Sequence, residues 1–142
     1  MKLRSFGALA VLAGLLLAGC STSPVTEGQA NAIPSDRIYA PDLVGRGGPG
    51  VAKATFLRDE GYFGSGCSHV IYVNNRKAFA IRQGEGISLK LQPGEYSFRL
   101  ETGAGMCPNI ATSQDITLKP NSVVTYRILL PSDGSLRLTR IQ

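Results

Sequence analysis

From residue 51 onward the chain alternates apolar and polar side chains in short runs, separated by turn-forming residues. Ile87-Ser88-Leu89-Lys90-Leu91 changes character at every position, as a strand with one buried face does. Gln92-Pro93-Gly94-Glu95 then supplies a turn, with proline presetting φ and glycine free to take a positive one. Beyond it Tyr96, Phe98 and Leu100 share one face while Ser97, Arg99 and Glu101 share the other. Val124, Tyr126, Ile128 and Leu130 repeat the period after Lys119-Pro120-Asn121-Ser122, and Leu136 and Leu138 repeat it after Ser132-Asp133-Gly134. Earlier candidates are residues 52–58, 69–74 and 77–82, the last two joined at Asn74-Asn75-Arg76. Short strands at turn-marked intervals, with no helix-length amphipathic segment, predict an all-β domain. The expected architecture is a small antiparallel β-sandwich of about seven or eight strands, with a small barrel as the alternative.

The start of the chain has a different pattern. Lys2 and Arg4 precede an apolar core from about Phe6 to Leu17, and small residues follow, which is the layout of a secretory signal. An apolar run of roughly twelve residues spans only about 18 Å as a helix, against about 30 Å of hydrocarbon, so it is short for a membrane anchor. Leu17-Ala18-Gly19-Cys20 closely resembles the site cut by lipoprotein signal peptidase. By that resemblance residues 1–19 are removed, and Cys20 becomes the lipidated first residue of the mature protein. Several acyl chains, at about 0.8 kcal/mol per buried methylene, would make such anchoring effectively permanent. Ser21, rather than Asp, follows the cysteine, which in double-membraned bacteria implies the outer membrane, with the domain facing the periplasm. An ordinary signal peptide cut nearby is the blander alternative.

Residues 20–50 are rich in Ser, Thr, Pro, Gly, Asn and Ala, and keep no apolar period of either 2 or 3.6. They read as a flexible tether, whose mean end-to-end distance would be roughly 30 Å. Ile38-Tyr39 and Leu43-Val44 are exceptions, expected to dock on the domain's own surface, with a partner's surface as the alternative. Arg46-Gly47-Gly48-Pro49-Gly50 marks the boundary, leaving residues 51–142 as one small domain.

Ala54-Thr55-Phe56-Leu57-Arg58, Val70-Ile71-Tyr72-Val73, Leu89-Lys90-Leu91-Gln92-Pro93-Gly94-Glu95-Tyr96, and Leu118-Lys119-Pro120-Asn121-Ser122 with its Tyr-bearing strand together resemble a group of bacterial envelope lipoproteins of unknown function. These belong with PEGA-like and transthyretin-like sandwich domains. The resemblance covers residues 51–130 and implies the sandwich fold, in the manner of transthyretin or immunoglobulin domains. It implies no catalytic residues. Asn74-Asn75 departs from the Asp-Gly turn common in such domains, and the cysteine pair is a second departure.

Charge and chemistry refine this picture only modestly. The formal charge of +5 includes Lys2 and Arg4, so it falls to +3 once the signal is removed. The remaining Lys and Arg are scattered, which argues against nucleic acid as a partner. Arg76-Lys77, the adjacent pair, reads as a solvated tip. With Cys20 lipidated, Cys67 and Cys107 form an even pair in an oxidising compartment, so a disulfide is expected. Closing a loop of about forty residues, it would contribute about 4 kcal/mol in the chain-entropy model.

A sharper alternative makes Cys67 and His69 a nucleophilic or metal-binding pair. His69 is the chain's single histidine, and the sequence offers neither a metal set nor a third positioning group. No metal or other cofactor is expected. Asp59 and Glu60 are adjacent and point opposite ways in an extended chain, so they imply no acid-base dyad. Residues 61–66 carry no phosphate-loop Lys-Ser/Thr. With Tyr62 and Phe63 inside it, this glycine-rich loop is the candidate partner-binding surface, the alternative being that both rings cap the core. The expected function is a non-enzymatic accessory or protein-interaction module, held to the membrane by its N-terminal lipid and binding another envelope protein. The alternative is a ligand- or glycan-binding protein or an enzyme inhibitor of the periplasm. An enzyme ranks third.

Overall fold

The computed structural model describes residues 22–61, 64–103, 107–130 and 133–142. Cys20, Tyr62 and Phe63 lie outside them, and with them the lipidation site and the two aromatic residues of the candidate binding loop. The described chain forms strands β1 (Asn31–Ala32), β2 (Ala52–Arg58), β3 (His69–Val73), β4 (Arg76–Ile81), β5 (Glu85–Leu91), β6 (Gly94–Thr102), β7 (Ala111–Leu118), β8 (Val123–Leu129) and β9 (Arg137–Arg140). One sheet has the order β1-β5-β2-β8-β9 and the other β4-β3-β6-β7, giving an all-β, two-sheet sandwich.

The sheets are not wholly antiparallel. β2 runs parallel to β8, from Lys53 opposite Val123 to Arg58 opposite Ile128, and the two-residue β1 runs parallel to β5. β2 sits between β5 and β8, and six of its seven residues are buried, as a doubly covered central strand requires.

The alternation along the chain becomes the two faces of each sheet. Phe98 and Leu100 in β6 are fully buried, while Arg99 between them stacks over the Tyr72 ring on the outer face, 4.0 Å from its centroid. Inside, Phe56 of β2 is the hub of an aromatic cluster. Its ring lies 5.4 Å from Phe79 and 5.2 Å from Phe98, both edge-on, and stacks on Tyr126 at 5.4 Å. Such pairs add about 0.5–1.5 kcal/mol each beyond area burial, which ties the two sheets together at mid-height. The β3–β4 hairpin turns on Asn74 and Asn75, both left-handed with φ of 48° and 64°. That is the geometry of a tight hairpin turn twisted to match its strands, and Asn tolerates it better than other residues that carry a Cβ.

The segment read as a flexible tether is instead a strap docked on the sandwich. Ser23 pairs with Glu60, and Val25 is buried and donates its N–H to Asp59 Oδ1 at 3.1 Å. β1 then pairs with β5, and Ile33 enters the core. The chain crosses to the other sheet, where the N–H groups of Tyr39 and Ala40 both donate to the Ala78 carbonyl, at 2.8 and 3.0 Å. Arg37 spans the crossing with a bidentate pair to Glu85 (2.7 and 2.5 Å) and a bond to the Ala80 carbonyl (3.1 Å). A side chain at Gly86 would collide with Ala30 and Leu57, so glycine lets the strap lie flat on β5.

The physical reason for the difference is that β5 and β4 are sheet edges whose backbone groups need partners. The strap supplies those partners with a few anchors (Val25, Ile33, Ala40) too widely spaced to register as a periodic element. Ile38, Leu43 and Val44 pack against the same core, while Tyr39 is exposed.

Candidate functional site

β2 and β8 run toward one end of the sandwich, and there the two cysteine loops meet. Cys67 precedes β3 and Cys107 follows β6. Because β3 and β6 pair, with His69 opposite Thr102, the loops are brought side by side. The disulfide forms between Cys67 and Cys107, with Cα atoms 6.0 Å apart and a sequence separation of 40. Next to it the Gly103 N–H donates to the Ser68 carbonyl at 2.5 Å, an approach so close that a side chain at position 103 would not fit. The Cys67 sulfur is therefore committed to a crosslink, and the alternative of a Cys67–His69 nucleophilic or metal-binding pair is overturned. Among the described residues, no group of three His, Cys, Asp or Glu side chains is placed to hold a metal ion.

Beneath the disulfide the interior turns polar. Ala52, Ala54, Phe56 and Arg58 share one face of β2, the inner one, so Arg58 points into the sandwich at this end and is 1 % exposed. Its Nη1 donates to the Ile128 carbonyl at a long 3.4 Å, and its Nε has no partner among the described residues. The sequence has ten Asp and Glu residues, all within the described segments, and Arg58 belongs to none of the ion pairs they form. Burial lowers the affinity of Arg58 for its proton, with nearby Asp59 opposing.

His69, on the inner face of β3, is fully buried, and neither ring nitrogen has a partner among the described residues. Burial first, and the charge of Arg58 second, pull its pKa down to about 4 against the Cys67 backbone, so the ring is neutral at pH 7. Thr102 completes the layer, donating from Oγ1 to the Pro108 carbonyl and accepting from the Ile110 N–H at 3.0 Å.

Asp59 and Glu60 divide as neighbours on a strand should: Asp59 is buried and Glu60 exposed. Burial raises the Asp59 pKa, opposed by the Val25 N–H and by Arg127, whose Nε lies 3.3 Å from Oδ1. This carboxylate therefore clamps the strap to β2 and β8. Arg58 was recognisable in the sequence as the charged member of the inner-face series, yet alternation alone gave no reason to single it out.

The opposite end, at the Asn74–Asn75 hairpin, carries an open concavity of about 510 Å³ lined by Asn74, Glu95, Tyr96, Ser97, Asp115, Ile116 and Thr117. Tyr96 supplies an aromatic wall and donates its hydroxyl to the Gln92 carbonyl at 2.9 Å. β7, which forms one side, pairs only with β6 and leaves its other edge without a strand partner among the described residues. Its side chains Ser113, Gln114 and Asp115 are exposed. The other strand edge on this side, β9, carries exposed Arg137 and Arg140, charges of the kind that discourage strand addition, whereas β7 has no Lys, Arg or Pro. Arg76 at the hairpin tip is exposed but pairs with Asp42 of the strap at 2.8 and 2.6 Å. No protein-family model matches this chain, and no curated protein sequence matches it.

Proposed function

We propose that the chain is a lipid-anchored envelope protein that acts by binding another envelope protein and not by catalysis. The single observation that carries this reading is the contrast between the two sides of the sandwich. The strap covers the edges of β5 and β4, while β7, with exposed Ser113, Gln114, Asp115 and Thr117, leaves its outer edge without a strand partner among the described residues, beside an open concavity. A strand edge of this kind can accept an extended segment of a partner through main-chain hydrogen bonds. The Leu17-Ala18-Gly19-Cys20 motif supports the anchor, and the resemblance to envelope lipoproteins of the PEGA-like and transthyretin-like kind supports the setting. A photo-crosslinking residue at Gln114 on β7 should trap one defined partner in intact cells, while the same residue at Asp36 on the strap should not. Equal capture from both positions, or none from Gln114, overturns the proposal.

A second reading rests on the lining of the concavity. Tyr96 among Asn74, Ser97, Thr117 and the carboxylates of Glu95 and Asp115 offers a stacking face ringed by hydrogen-bonding groups, which suits a glycan. A saturating muropeptide, at about a hundred times its dissociation constant, would raise stability by about 2.7 kcal/mol, and Tyr96→Ala would abolish the effect.

A further inference from the structure

We propose that the disulfide end of the sandwich rests on the lipid headgroups, and that the hairpin end with its concavity points away from the membrane. The inference builds on the lipid anchor of the preceding subsection and concerns where that anchor leaves the domain. The strap does not begin at a neutral point on the surface. Ser23 is held to the end of β2 by two backbone hydrogen bonds, its N–H to the Glu60 carbonyl at 2.8 Å and the Glu60 N–H to its own carbonyl at 3.1 Å. Val25 is held to Asp59 immediately afterwards, and Thr22 lies against Gly61 so closely that a side chain at 61 would strike it.

Only Ser21 stands between Cys20 and Thr22, and two extended residues reach at most about 7 Å. A lipid on Cys20 therefore holds Gly61 and its surroundings within about that distance of the headgroups, where a free tether would have allowed roughly 30 Å.

The same end carries Gln83 in the turn before β5 and Ser135 between β8 and β9. These positions form the membrane-facing surface together with exposed Glu60 and Arg82. Glu60 and Arg82 have opposite signs, and nearby Asp133 is paired with Arg137 at 3.1 Å. The surface is close to neutral, so the anchor imposes the contact and charge attraction does not. Strands of seven to nine residues, at about 3.4 Å each, put the opposite end some 24–30 Å farther out. There the Asn74–Asn75 hairpin, Lys119 and the Tyr96 concavity are free to meet a partner in the periplasm. The domain cannot invert without opening the Ser23–Glu60 clamp.

The test uses the full lipid-bearing protein in vesicles of phosphatidylethanolamine and phosphatidylglycerol, with the Cys67–Cys107 disulfide left oxidised. An environment-sensitive fluorophore is placed on Gln83→Cys, Ser135→Cys or Lys119→Cys, and quenching by headgroup-labelled lipid is read. Labels at 83 and 135 should shift to the blue and be quenched severalfold more than the label at 119, at low and high salt alike. Inserting about ten Gly and Ser residues between Ser21 and Thr22 should erase that difference. Equal quenching at all three positions, stronger quenching at 119, or a difference that survives the insertion overturns the orientation. The mass of the N-terminal peptide decides the anchor separately. A peptide without acyl chains on Cys20 removes the anchor reading and the orientation with it, whereas an acylated peptide with the wrong quenching pattern removes the orientation alone.

Discussion

Replacing Ile33 with alanine measures how firmly the N-terminal strap is held. Ile33 is 6 % exposed and belongs to the same core cluster as Phe56 and Phe98, although it lies in a stretch whose composition resembles a linker. Burying an aliphatic side chain of this size contributes about 1.5–3 kcal/mol, and truncating it to alanine in a core costs about 2–5 kcal/mol once the cavity is included. The strap crosses the side of the sandwich and can settle partly into the space, which places the expected loss near the lower limit, about 2–3 kcal/mol.

The assay is native-state hydrogen exchange of the Tyr39 and Ala40 amides, both of which donate to the Ala78 carbonyl and exchange only when the strap lifts or the domain unfolds. At about 1.4 kcal/mol per factor of ten, both amides should exchange about 30- to 150-fold faster in Ile33→Ala. Exposed Asp36, changed to alanine, should leave them unaltered. Rates within about twofold of the parent in Ile33→Ala would show that residues 22–50 behave as free chain, and the docked strap would be refuted.

Replacing both Cys67 and Cys107 with serine should cost about 4 kcal/mol in urea unfolding, from the entropy of a 40-residue loop, and an unchanged midpoint would rule that out. His69 has a folded pKa of about 4 against an unfolded value near 6.5, so the unfolded chain binds the extra proton between those values. Its contribution to stability is therefore fully present above pH 6.5 and is lost as the pH falls toward 4, by roughly 3 kcal/mol. That slope should be missing from His69→Gln, and equal slopes in the two proteins would contradict the neutral buried ring. Arg58→Met replaces a buried cation that no carboxylate meets with an apolar side chain of similar length, and should raise stability by about 1–3 kcal/mol. A lower melting temperature would show that the guanidinium is well satisfied where it lies.

The parts of this fold that were legible in the sequence are those where local alternation coincides with burial. β5 and β6 were outlined to within a few residues because Leu89, Leu91, Phe98 and Leu100 are buried and the residues between them are not. The hairpin at Asn74-Asn75 was also legible, because asparagine accepts the positive φ that both positions adopt. β7 was missed as a strand. Its inward positions Thr112, Gln114 and Ile116 lie at a sheet edge that nothing fully covers, so polarity there is no handicap and no alternation results.

The strap was misread for the opposite reason. It is fastened by single residues and backbone bonds to distant strands, and such contacts leave no local period. The disulfide followed from counting cysteines, and His69 stood out as the single histidine, whereas Arg58 became notable only when β2 and β3 were seen to aim both at the same interior layer.

The parallel pairing of β2 with β8 also has a consequence for the timing of folding. The central strand of the larger sheet finds its neighbour 70 residues later, Lys53 against Val123, and Tyr126 of β8 completes the aromatic cluster around Phe56. Until Tyr126, 16 residues from the end of the 142-residue sequence, has emerged, Phe56 lacks its stacking partner. Contacts this distant in sequence form late, because a long loop must close before any of them is rewarded. The β3–β4–β6 strands can pair from residues 69–102 alone, whereas the larger sheet is completed only after β8 has been made.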